Sequence, residues 1–144
     1  MHRRNFLFGI LSAVLLAPFT ALAAVWNKAA FEADKADVAA KALAISDEIE
    51  SDQIQITAPD RAENGAIVQV EVRSAIANTE AIAILVDKNP TALIANFMFS
   101  NGAEPFVVTR IKMAETSDIK VVVKSGDRYY TNSRNVVVLE NGCN

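Results

Sequence analysis

Two side chains suited to nucleophilic or metal chemistry stand out, one near each end of the 144 residues: His2 and the lone cysteine, Cys143. A single cysteine excludes a CxxC redox pair and a thiolate-rich zinc site. His2 falls in a segment expected to be cleaved, which leaves no Ser-His-Asp or Cys-His arrangement in the mature chain. The five glycines form neither a GxGxxG nor a phosphate-loop motif. The reading is therefore of a chain with no resident cofactor, no metal site and no catalytic residue of its own.

The thiol itself sits in VVVLENGCN. Asn-Gly after apolar alternation announces a hairpin turn, because both residues accept positive φ cheaply, yet no return strand follows. An unpaired cysteine in an exported protein implies intermolecular pairing or a free reactive thiol. With the last strand ending near Leu139, four residues reach Cys143, a span of about 13–14 Å, and Asn141 and Gly142 loosen it. Reactive cysteines sit beside cations or helix N-termini. Cys143 has instead Glu140 and the carboxylate of Asn144 for neighbours, which favours the protonated thiol. Such a nucleophile waits for activation in another protein's pocket, as a carrier arm does.

The compartment is read from the other end. Arg3 and Arg4 make a cationic start, Phe6 to Ala17 an apolar run, and Ala21-Leu22-Ala23 a cleavage site, so residues 1–23 read as a secretory signal peptide. The run of 12 residues is short against the ~20 that span a bilayer, and Pro18 follows it, so no membrane insertion is expected after cleavage. The paired arginines followed by Asn-Phe-Leu also resemble a twin-arginine signal, and the expected location is the periplasm. Removing 23 of 144 residues leaves 121, and losing two of 14 cations against 17 acids leaves a charge of −5. One domain with its own core fits that length. The acidic balance argues against nucleic acid as a partner.

These ends need elements to hold them. After Trp26 an alanine-rich stretch reads as one helix capped by Asn27, with Phe31, Val38, Ala42, Ile45 and Ile49 on one face. The acidic SDEIESD reads as a solvated link, so that residues 24–52 form helix plus linker. From Gln53 the runs QIQIT, AIVQVEV, AIAILV, ALIANFMF, FVVTRIKM, IKVVVK, DRYYT and NVVVL alternate with turn signals such as Asn64-Gly65 and Ser125-Gly126. This pattern predicts an immunoglobulin-like antiparallel β-sandwich over residues 53–139, followed by a flexible arm at 140–144. In AIAILV, Ile82, Ile84 and Val86 oppose Ala81, Ala83 and Leu85; in ALIANFMF, Leu93, Ala95, Phe97 and Phe99 oppose Ile94, Asn96 and Met98. A two-layer sandwich buries one face of each sheet, so the surplus apolar face calls for the helix or for a hydrophobic partner. Tyr129 and Tyr130 read as packing residues, and Arg110 as a surface or docking residue.

APDRAENGAIVQVEV, KNPTALIANFMFSNGAEPFVVTRIKMAETSDIKVVV and the closing NVVVLENGC together resemble the SoxY family, the sulfur-carrier subunits of the periplasmic thiosulfate-oxidising system. The family tail ends Gly-Gly-Cys-Gly-Gly; here only Gly142 and Cys143 match it, which implies a working but stiffer arm. The resemblance implies that Cys143 carries thiosulfate as a cysteine S-thiosulfonate, loaded by a c-type cytochrome. A metal-dependent thiosulfohydrolase then releases sulfate, and a sulfane dehydrogenase is a possible further partner. It also implies a heterodimer with a SoxZ-like β-sandwich subunit, and a chain that is a protein-bound substrate and not an enzyme. The composition alone leaves a second reading open: a periplasmic interaction module whose terminal cysteine forms an intermolecular disulfide.

Overall fold

Strands that are apolar on both faces need cover on both, and the arrangement of layers follows from that requirement. A computed structural model describes residues 26–140; the signal segment 1–23 and Asn141, Gly142 and Cys143 lie outside the described residues. Two short helices, α1 (Lys28–Phe31) and α2 (Ala36–Ala42), precede nine strands. These are β1 (Ile49–Glu50), β2 (Ile54–Thr57), β3 (Arg61–Asn64), β4 (Val68–Ser74), β5 (Ala81–Val86), β6 (Leu93–Met98), β7 (Phe106–Ile111), β8 (Ser117–Ser125) and β9 (Arg128–Glu140). The main sheet runs β1-β9-β8-β5-β6 with β3 also paired to β9, and the second sheet runs β2-β4-β7. The fold is a mostly-β, immunoglobulin-like sandwich. Its main ladders are antiparallel, while β1 and β3 join β9 in parallel.

The core between the sheets is built from alternate residues, as a period of two demands. Ile82, Ile84 and Val86 of β5 and Ile119, Val121 and Val123 of β8 are fully buried against Val68, Val70 and Val72 of β4. The other face of β5 is equally buried, because Ala83 and Leu85 pack under Ala30, Ala33 and Ala39 of the helical layer. The helices thus cover β5, Val122 of β8 and the start of β6. The rest of β6 is half-open, and Met98 is 68% exposed.

Four details correct the sequence reading. The N-terminal stretch is two helices and not one. Asn27 does cap the first, its Oδ1 accepting from Ala30 N–H at 3.1 Å. The second ends at a Schellman motif: Ile45 N–H donates to Ala40 O at 2.9 Å and Ala44 N–H to Lys41 O at 3.0 Å, with Ala44 at φ 58°. Ile45 and Ile49 therefore leave the helix, and Val38 and Ile49 are exposed. The acidic link is also held in place: Ile49 and Glu50 pair with Tyr130 and Thr131, and Glu48 bonds Lys120 Nζ at 2.6 Å. A register shift between Ile84 and Leu85 puts Leu93 opposite Leu85 on the outer face, whereas Ala95 and Phe97 oppose the inward Ile84 and Ile82. Finally, DRYYT and NVVVL are one strand, β9, of 13 residues.

Candidate functional site: the root of the cysteine-bearing tail

Cys143 follows Glu140 by three residues, so whatever the thiol does depends on how β9 is held where it ends. β9 pairs with β8 only as far as Val136, opposite Ser117. Beyond that point it would be a loose end, and other groups take over. β3 runs alongside in parallel, setting Arg61, Ala62 and Asn64 opposite Val137, Val138 and Glu140. On the other side Val138 N–H donates to Thr116 Oγ1 at 2.9 Å, a side chain standing in for the missing β8 backbone. Gly65 N–H donates to Glu140 O at 3.0 Å, closing the last residue of the strand.

The turn that supplies Gly65 is itself fixed. Asn64 Oδ1 accepts from Ala66 N–H at 2.8 Å, the local side-chain bond that makes Asn-Gly a turn. Met113 N–H donates to Gly65 O at 2.7 Å, and Met113 is fully buried. The buried Asn89 then ties the same loop down, donating to Lys112 O at 2.7 Å and accepting from Ala114 N–H at 2.8 Å. Asn89, Gly65, Thr116 and β3 together form a mount for the end of β9.

Two consequences differ from the sequence reading. β9 includes Glu140, which the sequence assigns to the arm, so three residues and not four reach from the last strand residue to Cys143. Covalent geometry then limits Cys143 to about 10–11 Å from Glu140. No local pattern marks Thr116 or Asn89 for this role, since their partners lie 22 to 25 residues away in the chain. The Asn64-Gly65 pair was visible as a turn, but its hold on β9 was not.

The surface around the mount is mixed. Val137 and Leu139 turn outward, 37% and 52% exposed, while Val136 and Val138 face the core. Arg134 Nη2 donates to Asp60 Oδ1 at 2.7 Å, and Asp60 O accepts from Val137 N–H at 3.0 Å. At the opposite end of the sheet Lys124 Nζ lies 2.6 Å from Glu80. That hydrogen bond, and with it the Lys124 charge, holds the Glu80 carboxyl below its ordinary value of 4.5; the same hydrogen bond raises Lys124 above 10.5. Tyr130 packs against the main core and Tyr129 against the outer cluster, as packing residues do, and Arg110 is exposed on the outer face of the second sheet. No helix among the described residues is long and apolar enough to cross a membrane.

Fold and site define a β-sandwich whose last strand is clamped to its end and is followed, three residues on, by the only cysteine of the chain. The family model for sulfur oxidation protein SoxY matches residues 39–143, a span that closes on that cysteine. The structure of the sulfur carrier protein SoxY from Chlorobium limicola f thiosulfatophilum is 39% identical, with a TM-score of 0.66, over 72% of this chain and 96% of that one. A superoxide reductase (neelaredoxin) from Ignicoccus hospitalis is 16% identical with a TM-score of 0.53, over 60% of this chain and 79% of that one, a likeness of fold alone. No curated protein sequence matches the chain. The chain belongs to the SoxY family of sulfur oxidation proteins.

Proposed function

We propose that the chain is a covalent carrier of sulfur intermediates in thiosulfate oxidation, with Cys143 as the attachment point. In the loading step the thiol and thiosulfate join: Cys–SH + S2O3(2−) gives Cys–S–S–SO3(−), one proton and two electrons. A c-type cytochrome partner takes the electrons. Water then cleaves off the terminal sulfonate in a metal-dependent thiosulfohydrolase, Cys–S–S–SO3(−) + H2O giving Cys–S–SH, sulfate and one proton; a sulfane dehydrogenase is a candidate for oxidising the persulfide that remains on Cys143. In this reading the partners supply the base, the metal and the electron acceptor, and the chain acts as their protein-bound substrate. It works in the periplasm after removal of residues 1–23, exported by the twin-arginine route in company with a SoxZ-like β-sandwich subunit.

The observation that carries this reading is the mount. A family match that ends on Cys143 coincides with a strand held up to Glu140 by the four parts of the mount and a tether of only three residues. A rigid post with a short thiol-bearing tip suits insertion into a narrow active site. Asn141, in place of a glycine, narrows the backbone freedom of the tip, and Gly142 keeps what is left.

Intact-mass spectrometry tests the proposal. After incubation with thiosulfate and the loading cytochrome, the mass should rise by one thiosulfate group, peptide mapping should place it on Cys143, and Cys143→Ser should abolish it. An adduct elsewhere, or sulfur still carried by Cys143→Ser, refutes it. Isolation of the chain as a disulfide-linked homodimer that thiosulfate never consumes would support the interaction-module alternative.

A further inference from the structure

A strand at a sheet edge offers unpaired N–H and C=O groups to any passing strand, and proteins guard such edges with charge, proline or brevity. Among the described residues most edges are guarded. β7 follows Glu104-Pro105 and carries Arg110; β3 carries Arg61 and Glu63; β1 has two residues, and β2 has four, followed by Pro59 and Asp60. β6 is different. From Thr91 to Ala103 there is neither a charged residue nor a proline.

The backbone of β6 also has a readable direction. In an antiparallel ladder, residues that exchange hydrogen bonds alternate with residues that do not. Phe99 N–H donates to Glu80 O at 2.8 Å, and Ala81 pairs with Met98, Ile82 with Phe97 and Ala83 with Asn96. Phe97 and Ala95 therefore point their amides at β5, and Asn96 and Met98 point theirs away from the sheet. Among the described residues nothing meets them. Beside this edge lies a groove of about 200 Å³ on the outer face, floored by Ala81, Ala83 and Val122, walled by Leu43, Ile45 and Met98, and rimmed by Asn96, Tyr129 and the Glu80-paired Lys124. The helix itself ends beside it, at the Schellman turn around Ala44, and Leu43 and Ile45 of that turn form one wall.

We propose that β6 is a strand-addition site, on which a β-strand of the partner subunit extends the main sheet and sets an apolar side chain into the groove. This rests on the carrier reading for the identity of the partner, the SoxZ-like β-sandwich subunit, but not for the site. The occupant is a different chain and not a second copy. Ala33 O accepts from Ala92 N–H at 2.9 Å, so the turn at Ala33 closes the other end of this edge, with Asp34 and Lys35 exposed there. Two copies paired about a two-fold axis would set the exposed Met98 of one against those charges of the other. A foreign strand carries no such penalty.

Amide exchange on the full mature chain, alone and with the SoxZ-like subunit, tests the proposal. Alone, the Asn96 and Met98 amides should exchange fast and the Ala95 and Phe97 amides slowly; in the complex all four should be slow. Asn96→Pro removes an amide that points away from the sheet, which an edge tolerates, and Met98→Lys adds a guard charge. Each should weaken the complex at least about tenfold. Val108→Lys on the edge strand of the other sheet should leave it unchanged. A complex in which the Asn96 and Met98 amides stay fast overturns the proposal, and so does wild-type affinity in both variants. Should a variant misfold, the exchange pattern of the unmodified chain decides. A homodimer of the chain alone that protects Asn96 and Met98 overturns the assignment to a foreign chain. No complex at all, with Cys143 still accepting sulfur, overturns this proposal and leaves the carrier reading standing; an unloaded Cys143 in a complex protected at β6 does the reverse.

Discussion

Replacing Thr116 by valine removes one hydroxyl and keeps the shape of the side chain, so it isolates the bond that Val138 N–H donates to Thr116 Oγ1 at 2.9 Å. Val138 is buried and β8 has ended two residues earlier, so on that side the amide has no backbone partner to turn to. A buried donor orphaned in this way costs at least about 1 kcal/mol, within roughly 1–3. For a domain of this size each 1 kcal/mol is about 3–6 °C in Tm. Thr116→Ser keeps the oxygen and should stay within about a degree of the parent apart from the lost methyl. The informative readout is local. If Thr116 holds the end of β9, the Val138 amide in Thr116→Val should exchange about five times faster than in Thr116→Ser, whereas amides deep in β8 such as Val123 should move only with global stability. Equal Tm and equal Val138 exchange in the two variants would refute the reasoning and leave β3 alone as the support of the tail.

Three further outcomes follow from the same structure. Leu85→Ala, at a side chain 1% exposed between β5 and the helices, should cost about 2–5 kcal/mol in urea unfolding and loosen the helical layer first, seen as faster exchange in α2. Glu80→Gln should flatten the acid limb of the stability–pH curve: a carboxyl held below 4.5 contributes stability that is fully present above that value and is lost as pH falls through the lowered one. At the alkaline end Lys124, raised above 10.5, contributes below that value and loses its contribution as pH climbs through the raised one, a limb that Glu80→Gln should also weaken.

The parts of this fold that were legible in the sequence are those governed by a local period. AIAILV shows its two faces because a strand alternates by two, and both faces proved to be buried. What stayed hidden was decided by partners far along the chain. The polar run from Thr131 to Asn135 split the last strand in the sequence reading, yet β9 continues through it because other segments satisfy its side chains: Asn132 Nδ2 donates to Ile54 O at 2.7 Å and Arg134 to Asp60. RAEN carries no strand pattern of its own and becomes β3 only because β9 passes beside it. The break between the helices has a similar cause, since Asp87 Oδ1 accepts from Ala36 N–H at 2.9 Å and starts a second helix where periodicity saw one. The helix end escaped notice because an alanine, not a glycine, takes the left-handed position at residue 44.

The same logic explains why the thiol was the easiest feature to find and its support the hardest. Composition isolates a lone cysteine at once, and a resemblance gives it a role, but neither says where its tether begins. That point is set by Asn89, Gly65 and Thr116, each bonding across at least 22 residues of chain. Fixing Glu140 shortens the tether by one residue, about 3.4 Å of reach. A thiol limited to about 10–11 Å from Glu140 cannot enter a deep pocket unless the receiving protein comes into contact with the mount itself. The outward Val137 and Leu139 stand at that point of contact. In the carrier role proposed for Cys143, a tether this short would trade range for precision of delivery, since each receiving enzyme would have to meet the same small surface.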